Sequence, residues 1–465
     1  MDYFHLHFIG IAGTGMSAVA RILLDRGYKI SGSDLRSTEL TKNLEKLGAK
    51  IYSGHHPDNL QGADTVVYST AIPQDNQELQ EARKQKLSIK HRADLWAEII
   101  NYSTGITVAG AHGKTTTTSM LGYLLTEYGM DPTVLIGAFS QDLNGNARPG
   151  RSPYVVAEAD ESDNSFIKYF PYATVITNID PDHLENFQGD FNKLVEAYRK
   201  FLKQVKPSGF SLLCQEDPLL QTMKTEAGSS ALTYGFSENC DYQPRNISFC
   251  KMKSYFSLYF RGSFLTEIYL AVPGEHNILN ATAALAVGHQ LGLNMNDSAK
   301  IMEGFQGAKR RFQVIGSSSN ITVVDDYAHH PTEIKKTLQT AKLQNNKRMV
   351  VFFQPKRYTR TKFLFEEFTK AFADADVLVI SEIFPFGEEP IPGITSENLA
   401  LGIEEKNGKE VKVLPYEHSL IVEEMLDILQ PGDLALIMGA GDDIAELAWK
   451  IYQEINQQTA ETRLS

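Results

Sequence analysis

Hydrophobic positions along this chain fall into short apolar runs separated by amphipathic stretches, and the alternation occurs in three series. Phe4 to Ile9 reads as a strand, a glycine-rich turn follows, and Met16 to Arg26 carries apolar residues at helical spacing. Tyr28 to Ser31 is a second strand ending in SGSD, and ADTVVYSTAIP is a later buried strand closed by a proline-marked turn. Such βα alternation predicts a mostly parallel sheet with helices on both faces. A second series opens at GITVAGAHGKTTTT and continues through YVVAEADESD and ATVITNIDPDH. From about Ser208 to Val272 shorter alternating runs, such as SYFSLYFRG and FLTEIYLAVPG, predict an antiparallel extension of the same domain. Helices are expected from His276 to about Gly304.

The third series follows KRRFQVIG and comprises ITVVDDYAHHP, RMVVFFQPKRYTRT, DVLVISEIFPFGEEPIPG and DLALIMGAGDDI. Each is an apolar run ending in a polar loop, and such loops lie at the carboxyl ends of strands, where open α/β sheets bind ligands. The polar tail after about Glu454 is expected to fray. The pattern therefore predicts an α/β protein of three tandem domains, bounded at 1–103, 104–310 and 311–465.

Composition narrows the functional classes. A chain of 465 residues can bury three separate cores. A net charge of −12 disfavours non-specific binding to nucleic acid or anionic membranes, so an anionic substrate needs a local basic pocket. The three cysteines, Cys214, Cys240 and Cys250, form no Cys-x-x-Cys pair, which argues against a disulfide scaffold or zinc site and fits a reducing compartment. MDYFHLHFIG lacks the basic start of a signal peptide, and no apolar run reaches the roughly 18 residues of a membrane span. The expected location is cytoplasmic.

Two glycine-rich turns carry the first chemical signals. FIGIAGTGMSA offers Gly10, Gly13 and Gly15 between strand and helix, letting backbone amides approach a diphosphate at a helix N-terminus; Asp34 closes the next strand near ribose-binding spacing. Alone, this turn also suits an NAD-dependent oxidoreductase, or a tight turn with no ligand. The second stretch, VAGAHGKTTTT, is a phosphate loop with Val108 where the longer Walker pattern has glycine. Gly110, Ala111, His112 and Gly113 would cradle phosphate, Lys114 would reach the β- and γ-phosphates, and Thr115, followed by Thr116, would ligate Mg²⁺. This loop speaks against the oxidoreductase.

Acidic residues follow at two strand ends: Glu158, Asp160, Glu161 and Asp163 in VVAEADESDNSF, then Asp180, Asp182 and His183 in TNIDPDHLENF. Hard oxygen ligands beside a phosphate loop suit Mg²⁺, whereas elsewhere they would read as solvated loops. Asn277 and Asn280 lie three apart at a helix start, so both can face one ligand. Arg310 and Arg311 lie at a domain junction, and Asp325, Asp326, His329 and His330 at a strand end, where nucleotide contact is a better reading than metal binding. Lys356, Arg357 and Arg360 crowd a strand–helix turn and suit capture of a carboxylate or phosphate.

In this order, HFIGIAGTGMS, GAHGKTTTT, EADESDNSF, TNIDPDHLENF, GEHNILNA, KRRFQ, DDYAHHPTEI, FQPKRYTRT and GEEPIPG resemble the Mur ligase family from about residue 4 to about residue 450. The resemblance implies a Rossmann-like N-terminal domain for a UDP-sugar, a central ATP-binding domain of the P-loop type and a Rossmann-like C-terminal domain. It also implies an activity, joining L-alanine to the lactyl carboxylate of UDP-N-acetylmuramate through an acyl phosphate, with ATP and Mg²⁺ as cofactors. Lys114, Glu158, His183 and Arg311 would be catalytic, with Thr115, Glu158 and His183 on Mg²⁺. Asn277, Asn280, Arg311, Asp326 and His330 would contact ATP besides the loop. Gly10, Gly13, Thr14, Gly15, Met16, Asp34, Ser69, Thr70 and Ala71 would line the UDP site, and Lys356, Arg357 and Arg360 would hold substrate carboxylates. Three positions depart from the family pattern: Ala12 replaces a glycine, Ala111 a threonine and Lys356 a histidine. A sister activity, attaching a murein tripeptide instead of alanine, is the alternative within the family.

Overall fold

The first series of apolar runs forms five parallel strands, β1 (His5–Ile9), β2 (Lys29–Asp34), β3 (Lys50–Ser53), β4 (Thr65–Tyr68) and β5 (Ser88–His91), in the order β3-β2-β1-β4-β5. The chain runs outward from β1 in one direction and then returns to place β4 on its other side. A crevice therefore opens at the carboxyl ends of β1 and β4. The turn Gly10–Gly15 follows β1, and Ser69–Ala71 follows β4, so topology alone brings both stretches to that crevice. The structure, a computed structural model, describes residues 4–140, 145–161, 164–182, 184–227, 230–250, 252–307, 309–344 and 346–464.

A polar network interrupts the apolar packing of this sheet. Glu78, on the helix Gln77–Lys84, is fully buried. It accepts hydrogen bonds from Ser33 Oγ and from Asn59 Nδ2 (2.6 Å), and faces His7 and His55. Burial alone would raise its pKa, yet the neighbouring His7 and the donors Ser33 and Asn59 outweigh burial and hold it at about 2.

The second series builds a ten-stranded sheet from β6 (Thr104–Ala109), β7 (Thr133–Ser140), β8 (Gly145–Arg148), β9 (Tyr154–Ala159), β10 (Ala173–Ile176), β11 (Phe210–Cys214), β12 (Ala231–Tyr234), β13 (Tyr242–Cys250), β14 (Lys253–Phe260) and β15 (Ser263–Leu270). Their order is β15-β14-β13-β12-β11-β10-β6-β9-β7-β8. The antiparallel extension expected from about Ser208 needs correction, because β11 and β12 continue the parallel sheet. Within this stretch the chain reverses later, from β14 to β15 through Arg261 and Gly262, both at positive φ. The short runs of β11 and β12 alternate too briefly for sequence to separate the two arrangements. β6, carrying the phosphate loop, lies between β10 and β9, so a second crevice opens there.

The third series gives β16 (Gln313–Ser318), β17 (Ile321–Asp326), β18 (Arg348–Phe353), β19 (Val377–Ser381), β20 (Val411–Leu414) and β21 (Asp433–Met438), ordered β16-β17-β21-β18-β19-β20 and parallel except for β16 with β17. Successive residues enter opposite cores: Val324, Val351 and Phe353 pack on one face, and Val323, Val350 and Phe352 on the other. The tail expected to fray after Glu454 instead continues the helix Asp442–Leu464. Ile444, Leu447, Ala448, Ile451 and Ile455 anchor it at helical spacing, and Thr459 Oγ1 lies 3.1 Å from Ser318 Oγ.

The chain divides into two compact units, the first comprising Met1–Ile247, Tyr255–Ala271 and Asn277–Ala308, the second Ser248–Ser254, Val272–His276 and Lys309–Ser465. The first holds the two glycine-rich turns, the second the Arg311, Asp326 and Lys356–Arg360 stretches. Among the described residues no helix is long and apolar enough to cross a membrane.

Candidate active site

In the first unit the phosphate loop is shaped by glycine conformations. Gly110 has φ +127° and Gly113 has φ +84°, both in the region L side chains avoid. A Cβ at Gly110 would meet Thr177 Oγ1 at 2.1 Å, and one at Gly113 would meet Asn280 Oδ1 at 2.8 Å. The segment after β10 clamps the loop from one side. Asn178 accepts from His112 N (2.9 Å) and returns Nδ2 to the His112 carbonyl (2.9 Å), while Thr177 Oγ1 donates to the same carbonyl (2.6 Å). His112 Nε2 lies 3.0 Å from Asp180 Oδ2. Asn280 accepts from Thr117 Oγ1 at 3.1 Å and reaches Asn277 Oδ1 at 3.4 Å, so both asparagines back the helix that the loop opens.

Lys114 is the electrostatic centre. Its Nζ donates to the Gly110 carbonyl (2.6 Å) and to both Glu161 oxygens (2.9 Å each). Burial would lower its pKa, but Glu161, Asp160 and Glu158 outweigh burial and raise it well above the ordinary lysine value. Burial pushes Glu158 and Glu161 upward, opposed by Lys114 in each case. Glu158 also accepts from Gly137 N (2.7 Å) and from the Thr115 hydroxyl. A hydroxyl against a buried carboxylate, beside a phosphate loop, is a hard-oxygen donor pair that fits Mg²⁺. Thr116 is buried in the same first turn. His183 and Asp163 lie outside the described residues. Tyr198 is buried with its hydroxyl facing Glu161.

The first glycine turn is braced differently, with no buried lysine. Gly10 has φ +78°, and its N–H donates to the Ser33 carbonyl at 2.8 Å. The Asp34 carboxylate accepts from Ala12 N (2.9 Å) and Arg36 N (3.1 Å), so it supports the turn. Gly13 caps the helix Thr14–Asp25, whose first turn includes Gly15 and the buried Met16. A Cβ at Gly15 would meet Arg92 Nη1 at 2.2 Å, which places a guanidinium over the helix N-terminus. Sequence reasoning passed over Arg92, a lone arginine in HRADLW with no motif around it. Ser69, Thr70 and Ala71 stand half-buried to exposed after β4.

In the second unit the two adjacent arginines separate into different roles. Arg310 is buried, paired with Asp325 (3.1 Å) and donating to the carbonyls of Gly439 and Gly441 (2.6 Å each), a structural brace. Arg311 is 30% exposed, faces Glu333 at 3.4 Å and lies over the Tyr327 ring. Asp326 accepts from Phe312 N (2.6 Å) and Ala328 N (2.7 Å), and burial raises its pKa to about 6 despite Arg311 and these amides. His330 caps the helix Pro331–Lys342 by accepting from Thr332 N, and His329 N donates to Glu333. Lys356 Nζ donates to the Ala440 carbonyl (3.2 Å) and lies 4.3 Å from the Phe386 ring. Arg357, at φ +73°, bonds Glu388 at 2.7 Å, and Arg360 is buried on the following helix.

Three family models match the chain in order: Mur ligase family, catalytic domain, over residues 5–104; Mur ligase middle domain, over 108–288; and Mur ligase, glutamate ligase domain, over 310–441. The chain is 48% identical over 439 residues to a UDP-N-acetylmuramate–L-alanine ligase of Pelotomaculum thermopropionicum, covering 94% of this chain and 95% of that one. It is 43% identical to the enzyme of the same name from Geotalea uraniireducens, over 94% of this chain and 95% of the other. The crystal structure of UDP-N-acetylmuramate-alanine ligase from Thermotoga maritima superposes with a TM-score of 0.80 at 30% identity, covering 98% of this chain and all of that one. A murein peptide ligase from Psychrobacter arcticus shares the fold, with a TM-score of 0.71 at 24% identity over 97% and 99% of the chains.

Proposed function

This chain belongs to the Mur ligase family, and we infer that it joins L-alanine to the lactyl carboxylate of UDP-N-acetylmuramate with consumption of ATP, a step of peptidoglycan precursor synthesis. The observation that carries the chemistry is Lys114, buried at the end of a phosphate loop among Glu158, Glu161 and the Thr115 hydroxyl. Neither the oxidoreductase nor the tripeptide ligase accounts as well for this loop together with the full-length similarity to alanine ligases.

The reaction proceeds in two balanced steps. A carboxylate oxygen of the lactyl group forms a bond to the γ-phosphorus as the bond to the ADP oxygen breaks. The amine nitrogen of alanine then bonds to the acyl carbon, phosphate departs, and a proton is released from nitrogen. Like charges oppose the first step, and the fixed cation at Lys114 counters that repulsion at the γ-phosphate. The backbone amides from Gly110 to Thr115 orient the phosphate chain for in-line attack. Thr115 and Glu158, with His183, would hold Mg²⁺, which when bound neutralises phosphate oxygens. Asn277 and Asn280 support the nucleotide end, to which we also assign Arg311, Asp326 and His330. Gly10, Gly13 to Met16, Asp34 and Ser69 to Ala71 are assigned to the UDP-sugar, and Lys356, Arg357 and Arg360 to carboxylate. We divide the chain functionally at 103/104 and 310/311 and place the reaction in the cytoplasm.

An amino-acid panel tests the reading. Phosphate release from ATP should require UDP-N-acetylmuramate together with L-alanine. Equal release with L-alanyl-γ-D-glutamyl-meso-diaminopimelate and little with alanine would transfer the chain to the tripeptide activity.

A further inference from the structure

Asn146 belongs to neither phosphate-binding turn, yet its side chain leaves its own sheet to reach one of them. It lies on β8, the edge strand of the ten-stranded sheet, and is 3% exposed. Its Nδ2 donates to the Thr14 carbonyl at 2.7 Å and to Ser17 Oγ at 3.0 Å. Ser17 Oγ in turn donates to the carbonyls of Gly13 (3.1 Å) and Thr14 (3.0 Å). One buried amide and one hydroxyl therefore add to the helix bond from the Ser17 N–H to the Gly13 carbonyl (2.9 Å) in holding the carbonyl oxygens of two consecutive peptides at the start of the helix Thr14–Asp25.

A peptide unit is planar, so fixing a carbonyl fixes the N–H at the other end of the same plane. The Gly13 carbonyl shares its plane with the Thr14 N–H, and the Thr14 carbonyl with the Gly15 N–H. Those amides belong to the first turn of the helix, where N–H groups have no acceptor within the helix and are free to meet an anion. Asp34 secures the Ala12 amide from the opposite side of the turn. Trp96 Nε1 reaches the Gly15 carbonyl only at 3.4 Å, a weaker restraint on the next plane.

We propose that Asn146 is a positioning residue for the UDP-sugar: through Ser17 it aims the Thr14 and Gly15 amides at the substrate diphosphate. This rests on the reading of the Gly10–Gly15 turn as the diphosphate end of the UDP-sugar site. A residue that merely joined two sheets would change stability while leaving the UDP-sugar and ATP equally affected. A residue that aims two amides changes the affinity of one substrate.

The test measures the Kd of UDP-N-acetylmuramate by calorimetry without ATP, the KM of each substrate, kcat and the melting temperature. Asn146→Ala should raise Kd and KM for the UDP-sugar about tenfold, with kcat and the KM for ATP changed less than about twofold. Ser17→Ala should give part of the same effect, and the double variant less than the product of the two, because both side chains hold the same planes. Asn146→Leu, of similar shape and without a donor, takes the same measurements should the alanine variant fold poorly. An unchanged UDP-sugar Kd, or equal rises in the KM values for the UDP-sugar and ATP, overturns the proposal. Gly15→Asp, which sets a carboxylate in the turn, separates the two layers of inference. Loss of UDP-sugar binding in Gly15→Asp with wild-type binding in Asn146→Ala removes the positioning role alone. Wild-type binding in Gly15→Asp removes the assignment of the turn itself.

Discussion

The two glycine-rich turns of the first unit are the same architectural device in different electrostatic surroundings. Each follows a strand beside the point where strand order reverses, and each opens a helix. The turn at Gly10–Gly15 is held by hydrogen bonds to its backbone, from Asp34, Ser17 and Asn146, with the Arg92 guanidinium above it. The loop at Gly110–Thr115 contains a buried lysine inside a cluster of carboxylates. A bound diphosphate that does not react needs only fixed dipoles. A γ-phosphate under attack by a carboxylate needs a full charge in a site of low dielectric, where that charge acts most strongly.

The comparison is broken most severely at Lys114. Lys114→Ala should lower turnover by about a thousandfold or more while calorimetry still shows the UDP-sugar bound; retained turnover would end the assignment of the phosphate loop. Glycine substitutions sharpen the contrast at a smaller scale. Gly113→Ala forces a positive φ and a contact at 2.8 Å with Asn280, so the KM for ATP should rise about tenfold. Gly10→Ala carries the same backbone strain, at φ +78°, but its Cβ meets only the flexible Ile72 side chain, with Cδ1 at 3.0 Å, so the KM for the UDP-sugar should rise by less. Initial rates with each substrate varied in turn decide this, and an exchange of the two effects would reverse the assignment of the turns.

The smallest effect on catalysis is expected beneath the first turn, at Glu78. Its folded pKa of about 2 lies below the ordinary glutamate value of 4.5, so its contribution to stability is present above pH 4.5 and is lost as pH falls toward about 2. Glu78→Gln should therefore cost about 3 kcal/mol of folding stability at pH 7 by urea unfolding, with the difference from wild type shrinking through that acid window and kcat unchanged. A difference independent of pH would show that the carboxylate charge is not what His7, Ser33 and Asn59 stabilise.

Much of this molecule was legible before any coordinate. The periodicity of two against that of three to four residues gave three α/β series, because burial of one face must recur at the spacing of the element. Phosphate-loop chemistry was legible for a similar reason: a tight turn against a helix N-terminus demands glycine at fixed offsets, with lysine and threonine next to it. Local patterning failed where an element's surroundings decided its arrangement. β11 and β12 look like members of a meander yet pair in parallel. The polar tail remains helical because Ile444 to Ile455 anchor its first turns in a core formed by distant strands. Arg310 and Arg311 are indistinguishable as letters, and only the fold turns one inward to Asp325 and leaves the other facing Glu333.

The sequence by itself determined the fold class, the two glycine-rich turns and the charged and hydroxyl residues that follow the second of them, since these depend on local backbone geometry and intrinsic charge. Tertiary structure alone decided which carboxylate pairs with Lys114, which asparagine clamps His112 and which residue on a remote strand aims the first turn. Those partners lie tens to more than a hundred residues apart, as Asn146 does from Thr14, and no periodicity in a single chain encodes a contact at such separation.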